Sequence, residues 1–187
     1  MNYQKELNLP FPLRDYQKTG VDFLTGSTSA LLGDDMGLGK TVQVIVALKK
    51  IYEREGIFKC LIVVPNSLKS NWKNEFNTWF PNALLTVLDG NLEDRNFQLE
   101  SSTSFILCTY EQMRASFQQN HTIGEFDYLV FDEIQKLKNS TSKAYMSAYV
   151  IKSQNIWGMS GTPLENSPQD VVNIFSIIKP FLIQDGF

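Results

Sequence analysis

Histidine and cysteine are scarce in these 187 residues: one histidine, His121, and two cysteines, Cys60 and Cys108. No spaced Cys/His cluster exists to hold zinc. No disulfide staple is needed either, because a chain of this length buries roughly 70% of its unfolded surface on folding. Both cysteines lie inside apolar runs, Cys60-Leu61-Ile62-Val63-Val64 and Phe105-Ile106-Leu107-Cys108, where a thiol serves as a small hydrophobe, so both are read as buried and reduced. Positive charge is not in excess. Seventeen Lys and Arg against 20 Asp and Glu leave a net charge of −3, with a pI near 5.2. That balance excludes a nucleic-acid binder relying on a broad basic surface, so any such contact has to be a local patch. No apolar run reaches the ~20 residues of a membrane span, and the polar start Met1-Asn2-Tyr3-Gln4-Lys5-Glu6 lacks a signal-peptide core. The expectation is an intracellular protein with no membrane partner. Neither an internal repeat nor a low-complexity linker divides the chain, which reads as one domain over 1–187 with its core at about 13–182.

What is present is a glycine loop between two apolar runs. Asp34-Asp35-Met36-Gly37-Leu38-Gly39-Lys40-Thr41 follows Ala30-Leu31-Leu32 and leads into Val42-Gln43-Val44-Ile45-Val46-Ala47-Leu48, the pattern of a strand, a turn and a buried helix. A loop ending Gly-Lys-Thr at a helix start suits a polyphosphate: glycines let backbone N–H groups close on the anion, and the helix N-terminus adds a favourable field. Lys40 then reaches the β/γ-phosphates and Thr41 the Mg²⁺. The strict pattern asks for glycine five places before Gly39, and that place holds Asp34, with Gly33 one step earlier. A lone Gly-Lys-Thr also fits an ordinary glycine turn, so the rest of the chain decides.

Strand and helix patterns alternate along that rest. Upstream, apolar residues at 13, 16, 20, 21 and 24 predict a helix in which Gln17 either reads an adenine edge or is simply solvated. The run 60–64 is a strand closed by Pro65. Ser67 is placed to cap a helix carrying Leu68, Trp72, Phe76, Trp79 and Phe80 on one face, a stripe read as core rather than base stacking. Asn66, Ser67 and Lys69 offer groups to backbone phosphates. A strand is expected at 84–88, then loop with at most a short helix over 91–104, then a strand at 105–108. Thr109 and Tyr110 are open to two readings, as phosphate contacts or as a helix cap and a packed ring. Tyr128-Leu129-Val130-Phe131 runs straight into Asp132-Glu133, the pattern of a buried parallel strand with acids at its carboxyl end, where open α/β sheets place ligands. Asp132 suits hydrated Mg²⁺ there, and Glu133 suits a base for an attacking water; an acidic loop without chemistry is the alternative. A helix over 139–153, capped by Asn139 or Ser140, precedes the strand 155–159, which ends in the hydroxyls of Ser160-Gly161-Thr162-Pro163. A final amphipathic helix at 171–178 stops before Pro180.

Together and in this order, these motifs resemble the SWI/SNF-type family of superfamily 2 helicase-like ATPases, which move on double-stranded DNA. The resemblance spans Leu13 to Phe181. It takes in Leu13-Arg14-Asp15-Tyr16-Gln17, the glycine loop, Val63-Val64-Pro65 leading to Trp72, Thr109-Tyr110-Glu111, Asp132-Glu133-Ile134-Gln135-Lys136 and Ser160-Gly161-Thr162-Pro163-Leu164-Glu165-Asn166-Ser167. Asp34 in place of glycine is that family's own variant of the loop. Asp35 stands where Glu is commoner and Ile134 where Ala is.

The resemblance implies a three-layer RecA-like P-loop lobe of α/β class, with a mainly parallel sheet, ATP and Mg²⁺ as cofactors, and duplex DNA as partner. By the same likeness Glu133, Lys40, Asp132 and Gln135 are catalytic. Arg14, Gln17, Met36, Gly37, Leu38, Gly39, Lys40 and Thr41 hold the nucleotide, with Gln17 as adenine reader, while Thr41 and Asp132 serve the metal. Ser160, Gly161 and Thr162 couple ATP state to movement, and Asn66, Ser67, Lys69, Thr109 and Tyr110 touch nucleic acid. Relatives close ATP between two such lobes, the second supplying an arginine worth roughly 10³–10⁵ in rate. No arginine-rich motif follows Thr162 in this sequence, so the expectation is a monomeric first lobe, a poor ATPase alone. Its setting would be cytoplasm or nucleoid in a prokaryote and nucleus in a eukaryote. The rival expectations are a strand-separating DNA or RNA helicase on the same fold, a nucleotide-gated binding module without turnover, and, last, a small-molecule kinase.

Overall fold

The computed structural model describes residues 3–56, 58–102, 104–117, 125–161 and 167–179. The apolar runs become strands: β1 Ser29–Leu32, β2 Cys60–Val64, β3 Leu85–Val87, β4 Phe105–Thr109, β5 Phe126–Phe131 and β6 Ser153–Met159. They form one sheet in the order β1-β6-β5-β2-β4-β3, and every pairing is parallel. Parallel strands need crossovers, supplied here mostly by helices. These are α1 Tyr3–Glu6, α2 Asp15–Thr25, α3 Lys40–Glu55, α4 Lys69–Trp79, α5 Leu92–Ser101, α6 Tyr110–Phe117, α7 Lys143–Tyr149 and α8 Pro168–Ile178.

Side chains alternate across each strand, which splits the core into two layers of apolar contact. Cys60, Ile62 and Val64 face one way with Leu107, Val130 and Trp157, packed under α2, α3 and α4. Leu61 and Val63 face the other way with Ile106, Cys108, Leu129 and Phe131, packed under α5 to α8. Because both faces are covered, β2 and β4 are buried at every position, which is why they read as unbroken apolar runs. Fully burying each such side chain is worth about 1.5–3 kcal/mol. Both cysteines are buried free thiols. Tyr3, Leu7 and Leu9 are also buried, so the core reaches back beyond the expected boundary near residue 13. Among the described residues, no helix is long and apolar enough to cross a membrane.

Three local expectations are corrected. Residues 91–104, read as loop with at most a short helix, hold the ten-residue helix α5. Asn91 caps it, accepting from the Asp94 N–H at 3.1 Å while Asp94 accepts from the Asn91 N–H at 3.0 Å. Only Leu99 of that helix is buried, so no apolar period announced it. Neither Asn139 nor Ser140 caps α7. Asn139 Oδ1 instead accepts from the Thr141 N–H at 3.0 Å, delaying the helix until Ser142, whose Oγ accepts from the Tyr145 N–H. Ser67 is not a cap either, since it lies inside a 3₁₀ turn, Asn66–Leu68.

Candidate nucleotide-binding site

All six strands end at one edge of the sheet, and the motif residues follow those ends. After β1 the chain turns through Gly37 and Gly39, both left-handed at φ +83° and +69°, a conformation open to glycine at no steric cost. α3 then starts at Lys40. The Lys40 ammonium donates to the carbonyls of Asp34 at 2.6 Å and Asp35 at 2.9 Å. Asp34 is tied down by Gln43, whose Nε2 donates to its Oδ2 at 2.9 Å and to the Leu38 carbonyl at 3.3 Å.

β5 delivers the acids from the middle of the sheet. The Asp132 N–H still donates to the Val63 carbonyl at 2.9 Å, so this residue is held at the strand tip. Asp132 is 5% exposed. Oδ2 accepts from the Trp72 indole N–H at 2.7 Å and Oδ1 from the Glu133 N–H at 2.9 Å. Burial pushes the Asp132 carboxyl above the usual carboxylate range, with the Trp72 donor and the Lys40 charge pulling the other way. Glu133 is left-handed at φ +51°, an arrangement costing about 1–3 kcal/mol for a residue with a Cβ. Tyr110 braces that bend from below, its hydroxyl donating to the Asp132 carbonyl at 2.8 Å. Burial raises the Tyr110 phenol well above its ordinary value, keeping it a donor.

These two strand ends meet. A cleft of about 260 Å³ is lined by Met36, Gly37, Gly39, Lys40, Thr41 and Val42 on one side and by Asp132, Glu133, Leu68, Asn71 and Glu75 on the other. Lys40 and Asp132 lie close enough for the ammonium to act on the carboxyl. Gln17 abuts the loop, since a Cβ on Gly39 would lie 2.7 Å from its Nε2; its Oε1 accepts from the Arg14 N–H at 3.0 Å. Across the cleft a side-chain relay runs from the residue that follows β6. Ser160 Oγ donates to Gln135 Oε1 at 2.7 Å, and Gln135 Nε2 donates to the Glu133 carboxylate. Gly161 lies on the loop itself, where a Cβ would stand 2.7 Å from Met36 Cγ and 3.8 Å from Lys40 Nζ. Thr162 lies outside the described residues.

Similarity to known proteins fits this edge. Residues 16–185 match the family model described as SNF2-related domain. The chain belongs to that family. This SNF2-related domain is 35% identical over 176 residues to a DNA excision repair protein ERCC-6-like of Danio rerio, covering 87% of this chain and 12% of that protein. It is 35% identical over 173 residues to an uncharacterized ATP-dependent helicase of Mycoplasma pneumoniae, covering 90% and 17%. A solved structure, the Sulfolobus solfataricus SWI2/SNF2 ATPase core in complex with dsDNA, superposes with a TM-score of 0.81 at 28% identity, over 93% of this chain and 37% of that one. The chain thus spans only about an eighth to a sixth of these two curated relatives. Its fold is the RecA-like α/β lobe expected from the motifs.

The expected nucleic-acid contacts of this SNF2-related domain divide. Asn66 and Ser67 are exposed at the strand-end edge. Lys69 is turned inward, its ammonium donating to the Leu88 carbonyl at 2.5 Å and to Gln112 Oε1 at 3.3 Å. Thr109 is 4% exposed and Tyr110 5%. Thr109 Oγ1 accepts from the Gln112 N–H at 3.2 Å, and the Tyr110 hydroxyl serves the acid bend, so the cap and packed-ring reading replaces that of phosphate contacts.

Trp72 and Gln43 as donors, and Asn71 and Glu75 as cleft lining, escaped sequence reasoning. Trp72 sat in a stripe whose spacing reports burial alone, and its partner is 60 positions away. The donor set fits a magnesium nucleotide: left-handed glycines beside a lysine for the phosphates, and carboxylate and hydroxyl oxygens, the hard ligands Mg²⁺ prefers. Thr41 and Asp132 are the residues that would hold the ion.

Proposed function

We propose that this chain is the first nucleotide-binding lobe of an ATP-driven translocase acting on double-stranded DNA, with a second RecA-like lobe completing the site. The observation carrying the reading is the convergence of Lys40 and Thr41 with Asp132 and Glu133 on one cleft. The dsDNA complex of the Sulfolobus relative supports the choice of partner.

In this mechanism the loop N–H groups and Lys40 bind the β- and γ-phosphates of ATP, and Gln17 reads the adenine. When bound, Mg²⁺ neutralises charge on the β- and γ-oxygens. Glu133 takes the proton of a water whose oxygen attacks the γ-phosphorus, as the bond to the β-bridging oxygen breaks to leave ADP and phosphate. Gln135 and Ser160 hold the Glu133 carboxylate in register with the segment that follows β6. The exposed Asn66–Ser67 turn contributes to a local phosphate grip, compatible with the net charge of −3.

The test is nucleotide binding by this chain followed by ATPase assay of a two-lobed protein containing it. Mg²⁺-dependent ATP binding that Lys40→Ala weakens, and turnover stimulated by duplex DNA, are expected. Stimulation by single strands or RNA alone would favour a strand-separating helicase, and absence of turnover a nucleotide-gated binding module.

A further inference from the structure

The carboxylate of Asp132 has one protein donor on each oxygen, and the two come from different parts of the fold. Oδ1 accepts the N–H of the next residue, Glu133, so that contact is set by local chain geometry. Oδ2 accepts the indole N–H of Trp72, carried by α4. Trp72 is 1% exposed, so its indole N–H is shielded from bulk water. Filling the core does not require an indole here. Phe76, one turn further along α4, is equally buried with no polar atom. The same helix contributes Asn71 and Glu75 to the cleft wall, and it continues directly from the Asn66–Leu68 turn, whose Asn66 and Ser67 are exposed.

We propose that Trp72 is a positioning residue for the metal acid: its N–H fixes the plane of the Asp132 carboxylate, so that α4 and the grip on Mg²⁺-nucleotide move together. This rests on the nucleotide-lobe reading above and adds how its acid is held. Mg²⁺ tolerates little departure from octahedral geometry. Partners that orient a ligand are typically worth about 10–100-fold in metal affinity. A carboxylate released on one oxygen keeps its charge but loses its direction, so the effect appears in the metal-dependent part of binding and not in the phosphate contacts of the loop.

The test titrates methylanthraniloyl-ADP into the chain with excess Mg²⁺ and with excess EDTA, the ratio of the two affinities being the Mg²⁺ enhancement. Trp72→Phe is expected to lower that enhancement by about 10-fold while leaving the EDTA value unchanged. Benzothienylalanine at position 72, with sulfur in place of the N–H, gives the same result at nearly constant volume and decides the matter if the Phe variant does not fold. Trp157→Phe is the control. It removes an equally buried indole whose N–H donates to the Ser27 carbonyl at 3.1 Å, and it leaves the enhancement intact. A folded position-72 variant with the parental enhancement overturns the proposal, as does an equal loss in Mg²⁺ and in EDTA. An unmodified chain with no Mg²⁺ enhancement overturns the nucleotide-lobe reading itself.

Discussion

Gln43 and Asp34 are joined side chain to side chain, the buried amide donating at 2.9 Å to the carboxylate that occupies the glycine position of a strict phosphate loop. The amide lies against α2, where a Cβ on Gly20 would fall 1.7 Å from Gln43 Oε1. Gly20 is therefore the space in which the loop's anchor sits. Gly20→Ala is expected to expel the amide and weaken ATP binding about 10-fold, the worth of one hydrogen bond to a charged group. Gln43→Ala reproduces that loss, and the double variant adds nothing to it. Calorimetric titration of the three variants checks this, with additive losses counting against the link.

Ile134 and Gly158 are a matched pair of sizes. A Cβ on Gly158 would stand 2.6 Å from Ile134 Cδ1 and 3.2 Å from Ile178 Cδ1. Gly158→Ala is expected to cost about 1–3 kcal/mol by overpacking, and Ile134→Ala about 2–5 kcal/mol by leaving a cavity. The double variant should recover at least ~0.5 kcal/mol of the summed cost, because the two changes share one space. Urea unfolding of the single and double variants measures the coupling.

On the proposed mechanism Glu133 is the base for the attacking water, while Asp132, with a protein donor on each oxygen, serves the metal. In a two-lobed protein containing this chain, Glu133→Gln is expected to keep ATP affinity and lower turnover by at least ~10²-fold. The comparison is between equilibrium binding and steady-state phosphate release.

Cys108 sets an alkaline limit. Burial pushes its thiol up to about 12, against about 8.5 in an unfolded chain. The folded state favours the protonated form, so its contribution to stability is full below about 8.5 and is lost as pH rises toward 12. Unfolding free energy is expected to fall over that window, and Cys108→Ala to flatten the slope in part, Cys60 being raised as well. At pH near 8 neither thiol should react with a disulfide reagent until the chain unfolds.

The strands and the glycine loop were legible in the sequence because local rules produce them. Runs such as 60–64 and 128–131 are apolar throughout since both faces of a parallel strand are covered, and a left-handed turn before Lys40 needs glycine. The same reasoning allowed no more than a short helix where α5 fills ten residues, because the signals there are one capping box and a single buried leucine. It also left Tyr110 open between a phosphate contact and a packed ring, because nothing near residue 110 reveals that the Asp132 carbonyl takes a donor from it.

The amino-acid order by itself determined the fold class, the glycine loop before α3, the acids at a strand tip and the family they belong to, all of them features of short-range spacing and type. Only the tertiary structure decided that Trp72 holds Asp132, that Gln43 holds Asp34 in the space left by Gly20, and that Lys69 and Tyr110 turn inward. Apart from the Gln43–Asp34 bond, which spans one loop and the start of one helix, those contacts join residues that the fold brings together from separate elements, and a hydrogen bond between such positions leaves no periodicity in the chain that makes it.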